Sequence, residues 1–226
     1  MAERLATWVW VGAAALACVA GIVNVVGYLG FQHQAITHLT GNTSLLGAAL
    51  VAGEPAIAWQ LFGAIAAFVA GAAISGLIIQ DDALRLGPRY GVVLSIESLL
   101  LLASVPLFQR SHMAGPLVAA MACGLQNAMA TTYSGAVVRT SHISGMFTDL
   151  GIMLGHAARG MPLAQRRLAL SVLVISCFFF GGLLGAVLFA SFEYRALYLP
   201  AAVTGISGVA YFIYRQWQRA TRPSVP

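Results

Sequence analysis

Six stretches of this chain, at 5–31, 55–79, 90–108, 113–138, 168–192 and 196–214, are long and almost wholly apolar. Each has about 19 residues or more, enough for a helix to cross a hydrocarbon core of about 30 Å. Five carry no Asp, Glu, Lys or Arg, and the third carries one acid, Glu97. Runs of this length predict an all-α integral membrane protein with six transmembrane helices. The first run is too long for the apolar part of a signal peptide and reads as a retained helix. The longest polar connections, 80–89 and 156–167, leave no room for a soluble domain. Residues 1–226 therefore form a single membrane domain.

Charge supports this reading. Only 8% of residues are charged, against roughly 25% in soluble domains. The 12 basic residues are all Arg and face 7 acids, for a net charge of +5. With no basic stripe between aromatics, that excess points to positive loops on the cytoplasmic side, not to nucleic acid. Cys18, Cys123 and Cys177 lie inside apolar runs and read as packed thiols, without metal-ligand spacing. Neither a metal nor a cofactor is expected. Trp8, Trp10, Trp59, Tyr90, Tyr194, Tyr214 and Trp217 sit near run ends, where aromatic belts form.

A polar motif interrupts the apolar pattern twice: ITHLTGNTSLLG at 36–47 and TSHISGMFTDLG at 140–151. His38, Thr40, Gly41, Ser44, Leu46 and Gly47 align with His142, Ser144, Gly145, Thr148, Leu150 and Gly151. Upstream, Gly21 and Asn24 align with Gly124 and Asn127. Downstream, Phe68, Gly71 and Ser75 align with Phe178, Gly181 and Gly185. The chain reads as two copies of one unit (helix, motif, helix, helix), repeat 1 at about 5–108 and repeat 2 at about 113–214. The apolar segments after the motifs are too short to span and read as re-entrant short helices, with Thr40 and Ser144 as expected N-caps.

Arginine placement bears on the span count. With six spans and the termini inside, Arg4, Arg85, Arg89, Arg139, Arg159, Arg166, Arg167, Arg215, Arg219 and Arg222 fall inside, and Arg110 and Arg195 outside. If both short helices crossed, Arg85, Arg89, Arg139 and Arg195 would lie outside. The positive-inside rule favours six spans. Three spans per unit then make the repeats inverted, a recurrent transporter plan.

The stretches HLTGNTSLLG at 38–47, GLQNA at 124–128 and VRTSHISGMFTDLG at 138–151 resemble the YoaK family of bacterial multi-pass membrane proteins, a domain of unknown function. Ser144 stands where many members carry Thr. The resemblance implies a membrane location and brings no substrate.

Several residues are candidates for chemistry. Two half-helix N-termini facing one pocket suit an anion or a carboxylate. His38, Thr40, Gly41, Asn42, Thr43, His142, Ser144, Gly145 and Thr148 are the expected solute-binding residues. The plainer reading is that they cap helices and satisfy backbone. Glu97, flanked by Ser95 and Ser98, and Asp149, early in the second short helix, are the candidates for proton coupling. Arg139 pairs with Asp149, meets an anion, or anchors the inner face. Asn24, Gln126 and Asn127 are expected to support the motif loops. Small residues at Gly63, Ala67, Gly71 and Ser75, and at Cys177, Gly181 and Gly185, fit helix packing within the chain or a homodimer seam.

The expected function is movement of a small polar solute or anion across the bacterial inner membrane, coupled to protons. The lipid bilayer is the expected environment, with both termini cytoplasmic. The rivals are an intramembrane enzyme and a non-catalytic assembly factor. No Ser-His-Asp set, Gly-x-Ser-x-Gly or His-Glu-x-x-His supports the first, and no catalytic residue is expected.

Overall fold

The computed structural model describes residues 7–30, 36–80, 89–110, 113–133 and 140–221. Every regular element among them is helical. The order is α1 Thr7–Gly30, α2 Leu39–Ala52, α3 Pro55–Ile78, α4 Arg89–Gln109, α5 Ala114–Tyr133, α6 Ile143–Ala158, α7 Gln165–Phe192, a 3-10 turn Glu193–Leu197, and α8 Tyr198–Thr221.

Helices α1, α3 and α4 are each long and apolar enough to cross a membrane, as is the stretch Gln165–Trp217. That stretch holds two helices, because the chain turns back at Glu193, whose φ of 51° takes it out of the helical region. Helix α5 has 20 residues, but Gln126, Asn127, Thr131 and Thr132 lower its hydropathy. It falls short of that measure, unlike the other long helices.

Contacts at the helix ends fix the directions. Val9, Ile79, Tyr90 and Met129 share one apolar cluster, joined by Tyr211. The starts of α1 and α4 and the ends of α3, α5 and α8 therefore lie together, on what is called here the near face. At the far face, the Phe108 ring stacks on Tyr194 with centroids 4.6 Å apart. The Tyr194 hydroxyl donates to the Gly30 carbonyl, and Gly115 lies against Phe108. Six helices thus run from face to face. Helix α2 joins two far-face ends, and α6 joins two near-face ends.

The two halves pack on each other reciprocally. Helix α1 packs on α7, and α3 on α5. Thus the first helix of each unit meets the third helix of the other. Residues aligned by sequence make matching contacts. A Cβ at Gly21 would lie 2.2 Å from the Phe178 carbonyl oxygen, and one at Gly124 would lie 2.0 Å from that of Phe68. One at Gly181 would lie 2.2 Å from the Cys18 oxygen, and one at Gly71 would lie 2.0 Å from that of Met121. Glycine lets the backbones touch here, where lipid offers no competing hydrophobic gain. These small residues therefore serve packing within the chain.

Helices α4 and α8 cross antiparallel, again reciprocally. Ser95 meets Gly208 where Ser98 meets Gly205. Gly91 meets Gly208, and correspondingly the Ser98 hydroxyl donates to the Ala201 carbonyl at 2.7 Å. Ser95 and Gly205, Ser98 and Gly208, and Gly91 and Ala201 each stand 110 residues apart, the same offset as Phe68 and Phe178.

Candidate functional site

The repeated motif builds the same hairpin twice. In each, the N-cap is the histidine, His38 or His142, and the helix starts one residue later. The expectation that Thr40 and Ser144 are N-caps is thereby corrected: they lie in the first turn. The imidazole folds over that turn, so a Cβ at Gly41 would stand 2.4 Å from His38 Cδ2, and one at Gly145 would stand 2.3 Å from His142 Cδ2. The His-x-x-Gly spacing is therefore a steric fit between a ring and a bare backbone.

Each loop is tied to the long helix before it. The Thr37 hydroxyl donates to Asn24 Oδ1 at 2.6 Å, and its backbone N–H reaches the same oxygen at 3.3 Å. The Ser141 hydroxyl donates to Asn127 Oδ1 at 3.2 Å. Both asparagines stand six residues before the ends of their helices, about 9 Å in at 1.5 Å per residue. Each amide finds its partner in a loop that dips to its level. Gln126 departs from that pattern and donates to the Leu16 carbonyl on α1, at 3.2 Å.

The motif hydroxyls turn back onto their own helices. Thr43 donates to Leu39 at 2.8 Å, Ser44 to Thr40 at 3.1 Å, and Thr148 to Ser144 at 3.0 Å. Asn42 is buried, while His38, Thr40, Thr43, His142, Ser144 and Thr148 are exposed on the bundle's flank. Helix α2 packs on α3 and α6 on α7, and the two short helices do not touch each other. The expected convergence of both helix starts does not occur, because each docks on the third helix of its own unit.

Asp149 forms an ion pair with Arg167 at 3.2 Å, on the near face. With His156 they line a groove of 240 Å³ where α6 turns into α7. Arg139, for which pairing with Asp149, an anion contact or anchoring of the inner face is expected, lies outside the described residues.

The larger cavity lies elsewhere. It measures 360 Å³ and opens between α1 and α8 in the near half of the bundle. Its walls come from Trp8, Ala15, Leu16 and Val19 of α1 and from Val203, Thr204, Ser207 and Tyr211 of α8. Tyr90 and Leu94 of α4 and Met129 of α5 close its back. Among the described residues, no charged side chain and no motif residue lines it. Its side-chain polar groups are hydroxyls and the Trp8 indole N–H on an otherwise apolar wall, and the Thr204 hydroxyl is turned onto the Pro200 and Ala201 carbonyls of its own helix at 3.0 and 3.2 Å.

The matching seam between α4 and α5 is shut. Leu101, Val105 and Phe108 of α4 pack with Ala119, Ala122 and Cys123 of α5. Val93 packs with Leu125 and Met129 further along. The closeness of Gln109 and Ala114 in sequence brings α4 and α5 together at the far face, but does not account for the packing further along the seam. Sequence reasoning missed the cavity, which follows from a difference between equivalent helix pairs. The available signal was the 110-residue offset of α4 and α8.

The model of a protein family of unknown function, DUF1275, matches residues 12–210. No curated protein and no solved structure matches the chain. A match over this much of the sequence, together with the long apolar helices, makes the chain a multi-pass integral membrane protein that belongs to the DUF1275 family.

Proposed function

We propose that the chain is a carrier built from two inverted units, with six membrane-crossing helices and two re-entrant ones. One observation carries this reading: seams related by the repeat differ, with α1–α8 open to the near face and α4–α5 sealed. Inverted repeats whose halves adopt different packings are the structural basis of alternating access. The described near-face arginines, Arg89, Arg159, Arg166, Arg167 and Arg215, against Arg110 and Arg195 at the far face, support a cytoplasmic near face.

The cavity narrows the solute class. Its volume suits a small organic molecule. Apolar walls with few polar groups, the Ser207 and Tyr211 hydroxyls and the Trp8 indole N–H, favour a weakly polar body with one or two hydrogen-bonding groups over a free anion. These hydroxyls have no acid or base beside them in the lining, which favours carriage over catalysis. The motif hairpins then serve as fixed plugs that hold α1 and α5 in register with their partners.

Uptake of weakly polar solutes by proteoliposomes tests the proposal. Ala15→Trp places a bulky ring in the cavity from an exposed wall position. Saturable uptake that Ala15→Trp abolishes while the protein stays folded supports the carrier. Uptake indifferent to that substitution overturns it.

A further inference from the structure

Glu97 lies in the middle of α4, 2% exposed, and its Oε2 has no hydrogen-bond partner among the described residues. The Cys123 thiol of α5 is within its electrostatic reach. On α8 the nearest titratable group toward the near face is Tyr211, which touches Gly91, six residues before Glu97. Arg215 lies a turn further out. Glu193, Tyr194 and Arg195 of the 3-10 turn belong to the far face. The described part of α3 presents no acid or base. An acid held this way inside a membrane bundle is costly and marks function more often than packing.

The repeat supplies the function. At the 110-residue offset, Glu97 is the equivalent of Ser207, and Val93 and Leu101 are the equivalents of Val203 and Tyr211. Ser207, Val203 and Tyr211 wall the open cavity. Val93 and Leu101 face the sealed α4–α5 seam, against Leu125 and Ala122, and Glu97 stands between them at four-residue spacing on the same helix face. On the other wall, Leu16 and Val19 of α1 correspond to Ala119 and Ala122 of α5.

We propose that the α4–α5 seam is a second, latent cavity, open to the far face when the two units exchange packings, and that Glu97 is its proton-accepting group. This rests on the carrier reading. The two sides then differ chemically: a hydroxyl, Ser207, faces the near side and a carboxyl, Glu97, the far side. Solute leaving or entering by the far face does so beside a group that takes or gives a proton to that compartment. Pro106 supplies the hinge. It lies inside α4, withholds one backbone bond from the last turns, and stands between Glu97 and the far-face connection. Tyr194 supplies the latch, stacked on Phe108 and bonded to Gly30.

The test uses the whole protein in sealed vesicles of each orientation, with Cys18, Cys123 and Cys177 replaced by Ala. A membrane-impermeant maleimide reads Val19→Cys and Ala122→Cys. Val19→Cys should react from the near face and Ala122→Cys from the far face. The latter should be between about tenfold and a thousandfold slower than an open cysteine, as for a minor state populated at roughly 0.1–10%. Tyr194→Phe should speed it, and Pro106→Ala should slow it. In the wild type, an impermeant carbodiimide with an amine should modify Glu97 from the far face alone, as read by mass spectrometry. This second readout stands even if Ala122→Cys does not fold. Ala122→Cys silent from the far face, or reactive from the near face, overturns the proposal. So does Glu97 left unmodified while Ala122→Cys reacts. Far-face reactivity without uptake of any solute would support the two-sided seam and remove the carrier reading. Uptake with a silent Ala122→Cys would do the reverse.

Discussion

Gly181 and Cys18 meet backbone to backbone: a Cβ on the glycine would stand 2.2 Å from the Cys18 carbonyl oxygen. The same contact recurs between Gly71 and Met121. Both join the first helix of one unit to the third helix of the other. A methyl group there cannot be absorbed by a side-chain rotation, since the neighbour is backbone.

Gly181→Ala and Gly71→Ala should each force α1 from α7, or α5 from α3. Overpacking of this kind costs about 1–3 kcal/mol. The melting temperature in detergent should fall for both. Gly47→Ala and Gly151→Ala, where nothing lies within 4 Å, should leave it unchanged or raise it slightly through the helix propensity of alanine. Equal effects at all four positions would contradict the packing described.

His38 and Gly41 form a steric pair, so their substitutions should couple. Gly41→Ala alone displaces the imidazole and should destabilise the protein. In a His38→Ala background the same change should be nearly neutral, or gain the helix propensity of alanine, worth up to about 1 kcal/mol. A double-mutant cycle reads the difference directly. His142 and Gly145 should give a cycle of the same sign. Additive effects would mean that the ring does not rest on the glycine.

Asn24 holds its loop through two hydrogen bonds to Thr37, one from the hydroxyl and one from the backbone. Asn24→Ala leaves both donors of Thr37 without their acceptor, at a cost of about 1–3 kcal/mol for a buried group. Proteolysis or hydrogen exchange should show 36–42 opening before the rest of the bundle. Thr37→Val should reproduce the effect more weakly, because it removes only the hydroxyl bond.

The fold was legible where chemistry is local. Apolar length marked the helices, and the small residues Gly71 and Gly181 marked where they pack closely. The amides Asn24 and Asn127, too polar for lipid, pointed to partners in the loops that both helices lead to. The N-caps were misread, because Thr40 and Ser144 are favoured caps by type and the His ring over Gly41 is a tertiary fit with no propensity signal. Helix α5 shows the opposite limit, since Gln126 and Asn127 lower its hydropathy while its direction is fixed by α4. The cavity was invisible because it is a difference between two equivalent seams. Glu97 stood out as an intramembrane acid, but its relation to Ser207 emerges only once Ser95 and Ser98 are seen to meet Gly208 and Gly205.

The sidedness of the two short helices tests the account most directly. Glu54 and Arg159 follow α2 and α6 and are both exposed. Single cysteines at these positions, in a cysteine-free protein in native membranes, are probed with an impermeant thiol reagent from each side. The account predicts that Glu54→Cys reacts from one face only and Arg159→Cys from the other only. Labelling of both from the same face would mean that the short helices cross, and the inverted arrangement would fall.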